Sequence, residues 1–257
     1  MSVLGIALAF FLVIFAILEN GQLSAFYDKA SILIVIGGTI GAMVCNYPLK
    51  NLLSSVKAFI KVIKFKPQNR KDILDKLVEL AYASKKEGLL ALEKYTDEMK
   101  DEFFKKSILL IVDGTSPEDA RNTLESDIAI TEQQDLLIQD IYTQGGKLAP
   151  AFGMIGTLIG LINMLGKLED TGKLAASMSV ALITTLYGAL LANIFFIPVS
   201  GRLKFISNNE VECKTMILEG VLSIQAGESP YLIKEKLGSY IVKSGKEKST
   251  SSEEEEA

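Results

Sequence analysis

The chain has 257 residues, of which 49% are hydrophobic and 23% charged, with a mean hydropathy of +0.29. Those proportions point to segregation, with membrane-spanning runs in one place and charged aqueous material in another. The absence of histidine excludes histidine acid–base catalysis, Ser-His-Asp triads and histidine metal sites, and a net charge of −4 gives no basis for nucleic-acid binding. Cys45 and Cys213 lack zinc or redox spacing and read as packing residues. The composition argues against an enzyme.

Residues 1–20 form the first apolar run, uncharged from Val3 to Leu18. It is short against the roughly 20 residues that cross a bilayer as a helix, and its flanks extend it. A cleaved leader would need a positive start, which Met1-Ser2 does not offer. The second run, 29–47, contains Gly37, Gly38 and Gly41, poor in a soluble helix but suited to close packing in a membrane bundle. Tyr47 falls at the expected interface, and Pro48 stands where a helix can end.

The middle segment, 48–146, is helical in pattern. Ile73, Leu74, Leu77, Val78 and Ala81 form an apolar stripe that ends near Gly88, a C-cap candidate. The stretch from Gly88 to Gly114 predicts another helical hairpin. Thr115-Ser116-Pro117-Glu118-Asp119 has the makings of a helix start, with a hydroxyl cap, a first-turn proline and acids at the positive end of the dipole. The helix predicted there runs through Ile141 towards the third span. Lys85, Lys86 and Glu93 sit on these helices and read, from the residues alone, as solvated charges.

A hairpin follows, with spans at 147–166 and 174–200. Neither of their apolar runs, Leu148 to Leu165 and Leu174 to Val199, holds a charged residue, and both carry small residues at helical spacing: Gly153, Gly156 and Gly160, then Ser177, Ala181, Thr184, Gly188 and Ala192. Lipid supplies no hydrophobic drive between helices, so Gly153, Gly156, Gly160, Ala181 and Gly188 mark close packing faces. An ion crossing hydrocarbon needs an ionisable group facing a cavity. None is present in these runs, so if the hairpin lines an ion path, another chain supplies the acid, with Thr157, Thr184 and Thr185 as hydroxyl ligands. The alternative is that those hydroxyls bond to their own helices. Pro150 is either a helix-start proline or a hinge, and Pro198, at the end of the fourth span, has the same ambiguity.

Residues 201–242 read as further amphipathic helices, with a restart at Gly227-Glu228-Ser229-Pro230, and 243–257 as a disordered tail. Lysines at 50, 57, 61, 64 and 66 follow the second span, and Arg202 and Lys204 follow the fourth. By the positive-inside rule both termini and the middle segment are cytoplasmic. The expected fold is an all-α membrane protein with four transmembrane helices and a large helical cytoplasmic domain between spans 2 and 3.

Taken in order, SILIVIGGTIGA, EGLLALE, LAPAFGMIGTLIGLI, ALITTLYGALLAN with FFIP, and EGVLSIQAGESP strongly resemble the MotA/PomA flagellar stator subunits, within the MotA/TolQ/ExbB superfamily. The resemblance covers nearly the whole chain. It implies no enzyme and no cofactor, but a homopentamer in membrane lipid of the bacterial inner membrane that transports H+ or Na+. The pentamer surrounds a dimer of a MotB/PomB-like partner, which supplies the ion-binding aspartate. Pro150 and Pro198 match the two family prolines, and Thr157 and Thr185 match threonines near the ion path. Lys85, Lys86 and Glu93 match charged positions that engage the rotor switch protein FliG. Lys85 stands where arginine is usual, which keeps the charge and loses the bidentate fork. TolQ/ExbB-type energisers of outer-membrane processes share the terminal hairpin but generally have three spans; four spans and EGLLALE favour the stator, and the alternative of a different class is a membrane scaffold that conducts nothing.

Overall fold

The computed structural model describes residues 2–20, 23–97, 99, 101–166 and 171–253, and no β-strand occurs among them. Two compact units divide the chain, one made of residues 1–65 and 135–206, the other of residues 66–134 and 207–257.

The first unit begins with α1 (Ser2–Asn20) and a 3-10 turn, Leu23–Phe26. Asp28 then caps α2 (Lys29–Ile32), its carboxylate accepting from the Ser31 amide at 2.6 Å and satisfying a donor that has no partner within the helix. A π-helical segment, Leu33–Gly37, leads without a break into α3 (Gly38–Asn46). Gly38 is required there: a Cβ on it would sit 2.3 Å from the ring of Phe152. Tyr47 and Pro48 are extended, ending α3, and α4 (Leu49–Lys64) follows.

The second unit packs α5 (Arg70–Glu87), the short α6 (Glu93–Thr96), α7 (Glu102–Val112), the start of α8 (Pro117–Leu165), and α10 (Ile197–Gln225) beyond residue 206, with α11 (Pro230–Glu253). Between them, α9 (Thr171–Leu190) and a π segment, Leu191–Phe196, belong to the first unit. The core of the second unit is aliphatic and includes Leu77, Leu80, Ile108, Leu124, Met216 and Ile233, all essentially inaccessible. Gly88 turns the chain out of α5 at φ +87°, a left-handed conformation that glycine adopts without penalty. After it come a 3-10 turn, Leu89–Leu92, then α6 and α7, the last started by Asp101, which accepts from the Phe104 amide at 3.0 Å.

Three helical stretches are long and apolar enough to cross a membrane: Lys29–Asn46, part of Pro117–Leu165, and part of Leu174–Gln225. The apolar stretch of α1, Gly5–Glu19, is shorter.

The helix boundaries need correcting at both ends of the hairpin. Pro150 lies inside the 49-residue α8, not at a helix start. Pro198 occupies the first turn of α10, which continues past it to Gln225. The chain is helical on both sides of it, through the π segment Leu191–Phe196 and on into α10, so Pro198 removes one donor from a continuous helix without ending it. The helix α11 runs to Glu253, into the segment that the sequence reads as a disordered tail from residue 243. Residues 254–257 of that tail, and 167–170 of the hairpin loop, lie outside the described residues.

Candidate functional site

The two arms of the hairpin meet backbone to backbone. A Cβ added to Gly188 would stand 2.6 Å from the Ala149 carbonyl oxygen, and one on Gly153 would stand 2.9 Å from that of Thr184. On Gly160 it would meet the Ser177 oxygen, the Ala181 nitrogen and the Ala181 Cβ, each at 2.8 Å. Backbone cannot swing aside as a side chain can, so the glycines set the distance between these helices.

This crossing sorts the threonines. Thr184 is fully buried against Gly156, where an added Cβ would lie 2.5 Å from the Thr184 Cβ. Its hydroxyl donates to the Val180 and Ala181 carbonyls, both at 3.0 Å, so it is engaged within its own helix. Thr185 is exposed, and its hydroxyl reaches the Ala181 oxygen at 3.3 Å. Pro150, also exposed, comes to the same place from α8: its Cα is 3.2 Å from a Cβ built on Gly188, while the Thr185 Cα is 3.4 Å from one built on Gly153. Thr157 follows Pro150 two turns along the same face of α8 and donates to the Met154 carbonyl at 2.6 Å. All three hydroxyls are therefore engaged with their own helices. Pro198 is half-buried beyond the π segment, away from this cluster in sequence.

Pro150 has no amide hydrogen, which deprives the Gly146 carbonyl of its helical donor. The backbone there is flanked closely by the other arm: a Cβ on Gly145 would lie 2.4 Å from the Phe196 ring, and one on Gly146 would lie 3.1 Å from Ile197 Cγ1. Tyr142, Phe195 and Phe196 form an aromatic cluster beside this point, with ring centroids 5.2 to 6.2 Å apart. No carboxylate or lysine lies between Leu148 and Leu165 or between Leu174 and Val199, and no cluster of metal-ligating side chains occurs among the described residues.

Four polar contacts had not been anticipated. Tyr47 donates to the Asp140 carboxylate at 2.5 Å, and Tyr142 to the Ser55 carbonyl at 2.9 Å. Thr143 and Ser200 share a hydroxyl bond of 2.8 Å between α8 and α10. Asn193, exposed in the π segment, donates to the Ala189 carbonyl at 2.9 Å. A lone amide within an apolar run was the available signal for Asn193; the long-range pairs left none.

In the second unit, Lys85 and Lys86 form the exposed last turn of α5 and Glu93 opens α6, so the bend at Gly88 joins the two segments that carry them. Neighbouring Glu87 and Lys94 form an ion pair at 2.5 Å. The Lys94 ammonium holds the Glu87 carboxyl below the usual glutamate range, and Glu87 raises Lys94 in return. A hollow of about 530 Å³ beside them is lined by Leu90, Glu93, Lys94 and Asp97 among others, with Leu90 74% exposed.

The chain is similar along most of its length to a recognised class. Residues 95–216 match the MotA/TolQ/ExbB proton channel family, and residues 3–88 match the N-terminal region of motility protein A. Chemotaxis protein PomA of Vibrio alginolyticus is 37% identical over 240 residues, covering 93% of this chain and 94% of the relative. Motility protein A of Aquifex aeolicus is 40% identical over 236 residues, covering 91% and 93%. The solved MotAB structure from C. jejuni superimposes with a TM-score of 0.86 at 28% identity, covering 93% of this chain and 94% of that one. The chain belongs to the motility protein A family, within the MotA/TolQ/ExbB class.

Proposed function

We infer that this chain is the ion-conducting stator subunit of a bacterial flagellar motor, coupling H+ or Na+ flow to torque on the rotor. The observation that carries the reading is the hairpin crossing, which brings Pro150 and Thr185 together on an outward face yet offers no group of its own to hold a charge. A MotB-like partner supplies the aspartate, in keeping with the MotAB composition of the matched structure. The match of residues 3–88 to motility protein A favours this over a TolQ/ExbB-type energiser.

On this reading the chain lies in the inner membrane with four spans, α1 being the first, both termini cytoplasmic, and five copies surrounding a partner dimer. A cation enters from outside and neutralises the partner's carboxylate beside Pro150, Thr157 and Thr185. Its release to the cytoplasm restores the charge, which changes the face of the ring that best accommodates the partner, and the ring steps. Lys85, Lys86 and Glu93 pass the step to FliG. Each charge falling through 100 mV supplies about 2.3 kcal/mol, so the path is held shut until the complex engages the rotor.

Co-expression with a MotB-like partner tests this directly. Swimming and ion flux should both be lost in Pro150→Leu and reduced in Thr185→Val, and comparing motility with and without sodium, with a protonophore control, identifies the ion. Selective current at full rate from the subunit alone in liposomes would overturn the division of labour.

A further inference from the structure

Three faces can be read on α4. Leu52, Ser55, Phe59 and Val62 face the first unit, with Ser55 and Val62 buried. This side is pinned by the Tyr142 bond to the Ser55 carbonyl and by the Phe59 and Phe195 rings, 5.4 Å apart. A second face carries Leu49, Leu53, Val56, Ile60 and Ile63, between 49% and 68% exposed. At 3.6 residues per turn these five fall within an arc of about 80°, a continuous apolar stripe. Along one flank of the stripe, and on that flank only, run Lys50, Lys57, Lys61 and Lys64. The helix has no acidic residue. Asp135 lines a hollow of about 240 Å³ with Lys57 and Lys61 of this flank.

The position of α4 decides what covers the stripe. It begins after only two extended residues beyond α3, and the Tyr47 bond to Asp140 fixes that junction. If α3 spans the membrane, as the proposed function requires, α4 starts at the cytoplasmic headgroup layer and cannot move far from it. An in-plane helix there buries its apolar stripe at the acyl boundary, while its lysines extend along that boundary to the headgroups. A partner's apolar surface would satisfy the stripe alone; an anionic lipid satisfies the stripe with its chains and the lysine flank with its phosphate.

We propose that α4 is a docking surface for anionic phospholipid of the cytoplasmic leaflet, with the Leu49–Ile63 stripe on the acyl chains and the lysine flank on the headgroups. The helix is thereby selective for lipid charge and not merely immersed in lipid.

The chain contains no tryptophan, so one introduced indole reports its own surroundings. The full chain, co-purified with its partner and carrying Leu53→Trp, is reconstituted into mixed phosphatidylglycerol and phosphatidylcholine vesicles with bromine on the chains of one lipid or the other. Brominated phosphatidylglycerol should quench more strongly at equal mole fraction. The preference should fall by about fivefold for each of Lys50→Gln, Lys57→Gln and Lys64→Gln, and persist in the arginine equivalents. Val56→Trp serves as the second reporter if Leu53→Trp does not fold. Ile40→Trp, on the exposed side of α3, tests the underlying reading separately. Quenching at Ile40→Trp with none at α4 overturns the lipid occupant and leaves a protein partner. Equal quenching by both lipids overturns the charge selectivity. No quenching at Ile40→Trp overturns the spanning reading together with this inference.

Discussion

Gly188 presses so closely on Ala149 that a methyl group added to it would lie 2.6 Å from the Ala149 carbonyl oxygen. Because the obstacle is backbone, Gly188→Ala should force the hairpin arms apart and cost about 1–3 kcal/mol. A lowered melting temperature of the purified subunit would record it. Gly41→Ala is the control: nothing stands within 4 Å of that Cβ, and the change should be neutral.

Thr184 and Thr185 are adjacent in sequence and opposite in setting. Thr184→Val keeps the shape that packs on Gly156 and loses only bonds to its own helix, so ion flux and stability should stay near wild type. Thr185→Val removes the exposed hydroxyl beside Pro150 and should lower flux while leaving the melting temperature unchanged. Measuring both quantities on both variants separates path from packing, and the reverse pattern would reject the assignment of Thr185.

Cys213 is 1% exposed, and burial pushes its thiol up, so almost none is thiolate at neutral pH. Alkylation of Cys213 should therefore wait for unfolding, while Cys45, exposed in the last turn of α3, reacts in the folded, detergent-solubilised subunit. Mass spectrometry of peptides after brief maleimide treatment distinguishes them.

The Glu87–Lys94 pair sets a pH window. Glu87 is lowered by its bond to Lys94, so its contribution to stability is complete above the unfolded value and lost as pH falls through the folded one. Lys94 is raised, so its contribution is complete below the unfolded value and lost as pH rises through the folded one. Both side chains are exposed, which keeps the effect small and sensitive to salt. Lys94→Ala should return the Glu87 carboxyl towards its ordinary titration, as carboxyl carbon shifts would register.

Close helix packing was legible in the hairpin from small residues at i, i+3 and i+4, although Gly41, at the same spacing in α3, meets nothing within 4 Å. Gly153, Gly156 and Gly160 lie against Ser177, Ala181, Thr184 and Gly188 as their spacing predicts. The roles of individual hydroxyls were harder to read, since Thr184 and Thr185 differ only by the 100° that separates neighbours on a helix. Pro150 misled as a helix boundary, because proline breaks an isolated helix more readily than one clamped by a second arm. The Tyr47–Asp140 and Tyr142–Ser55 bonds span 93 and 87 residues, and no local pattern announces such pairs. Glu87 and Lys94 are separated by a left-handed glycine, which destroys the helical spacing by which ion pairs are recognised.

The π segment at Leu191–Phe196 fixes the phase between the two halves of the last long apolar stretch. A π turn takes up one residue more than an α turn, so losing one residue there restores ordinary winding and leaves the azimuth of everything that follows unchanged. Val199 would stay wholly enclosed, and Pro198 would keep its setting relative to Thr185. A deletion in the α-helical turns of α10 beyond Val199 has no such slack and would turn every later residue by about 100°.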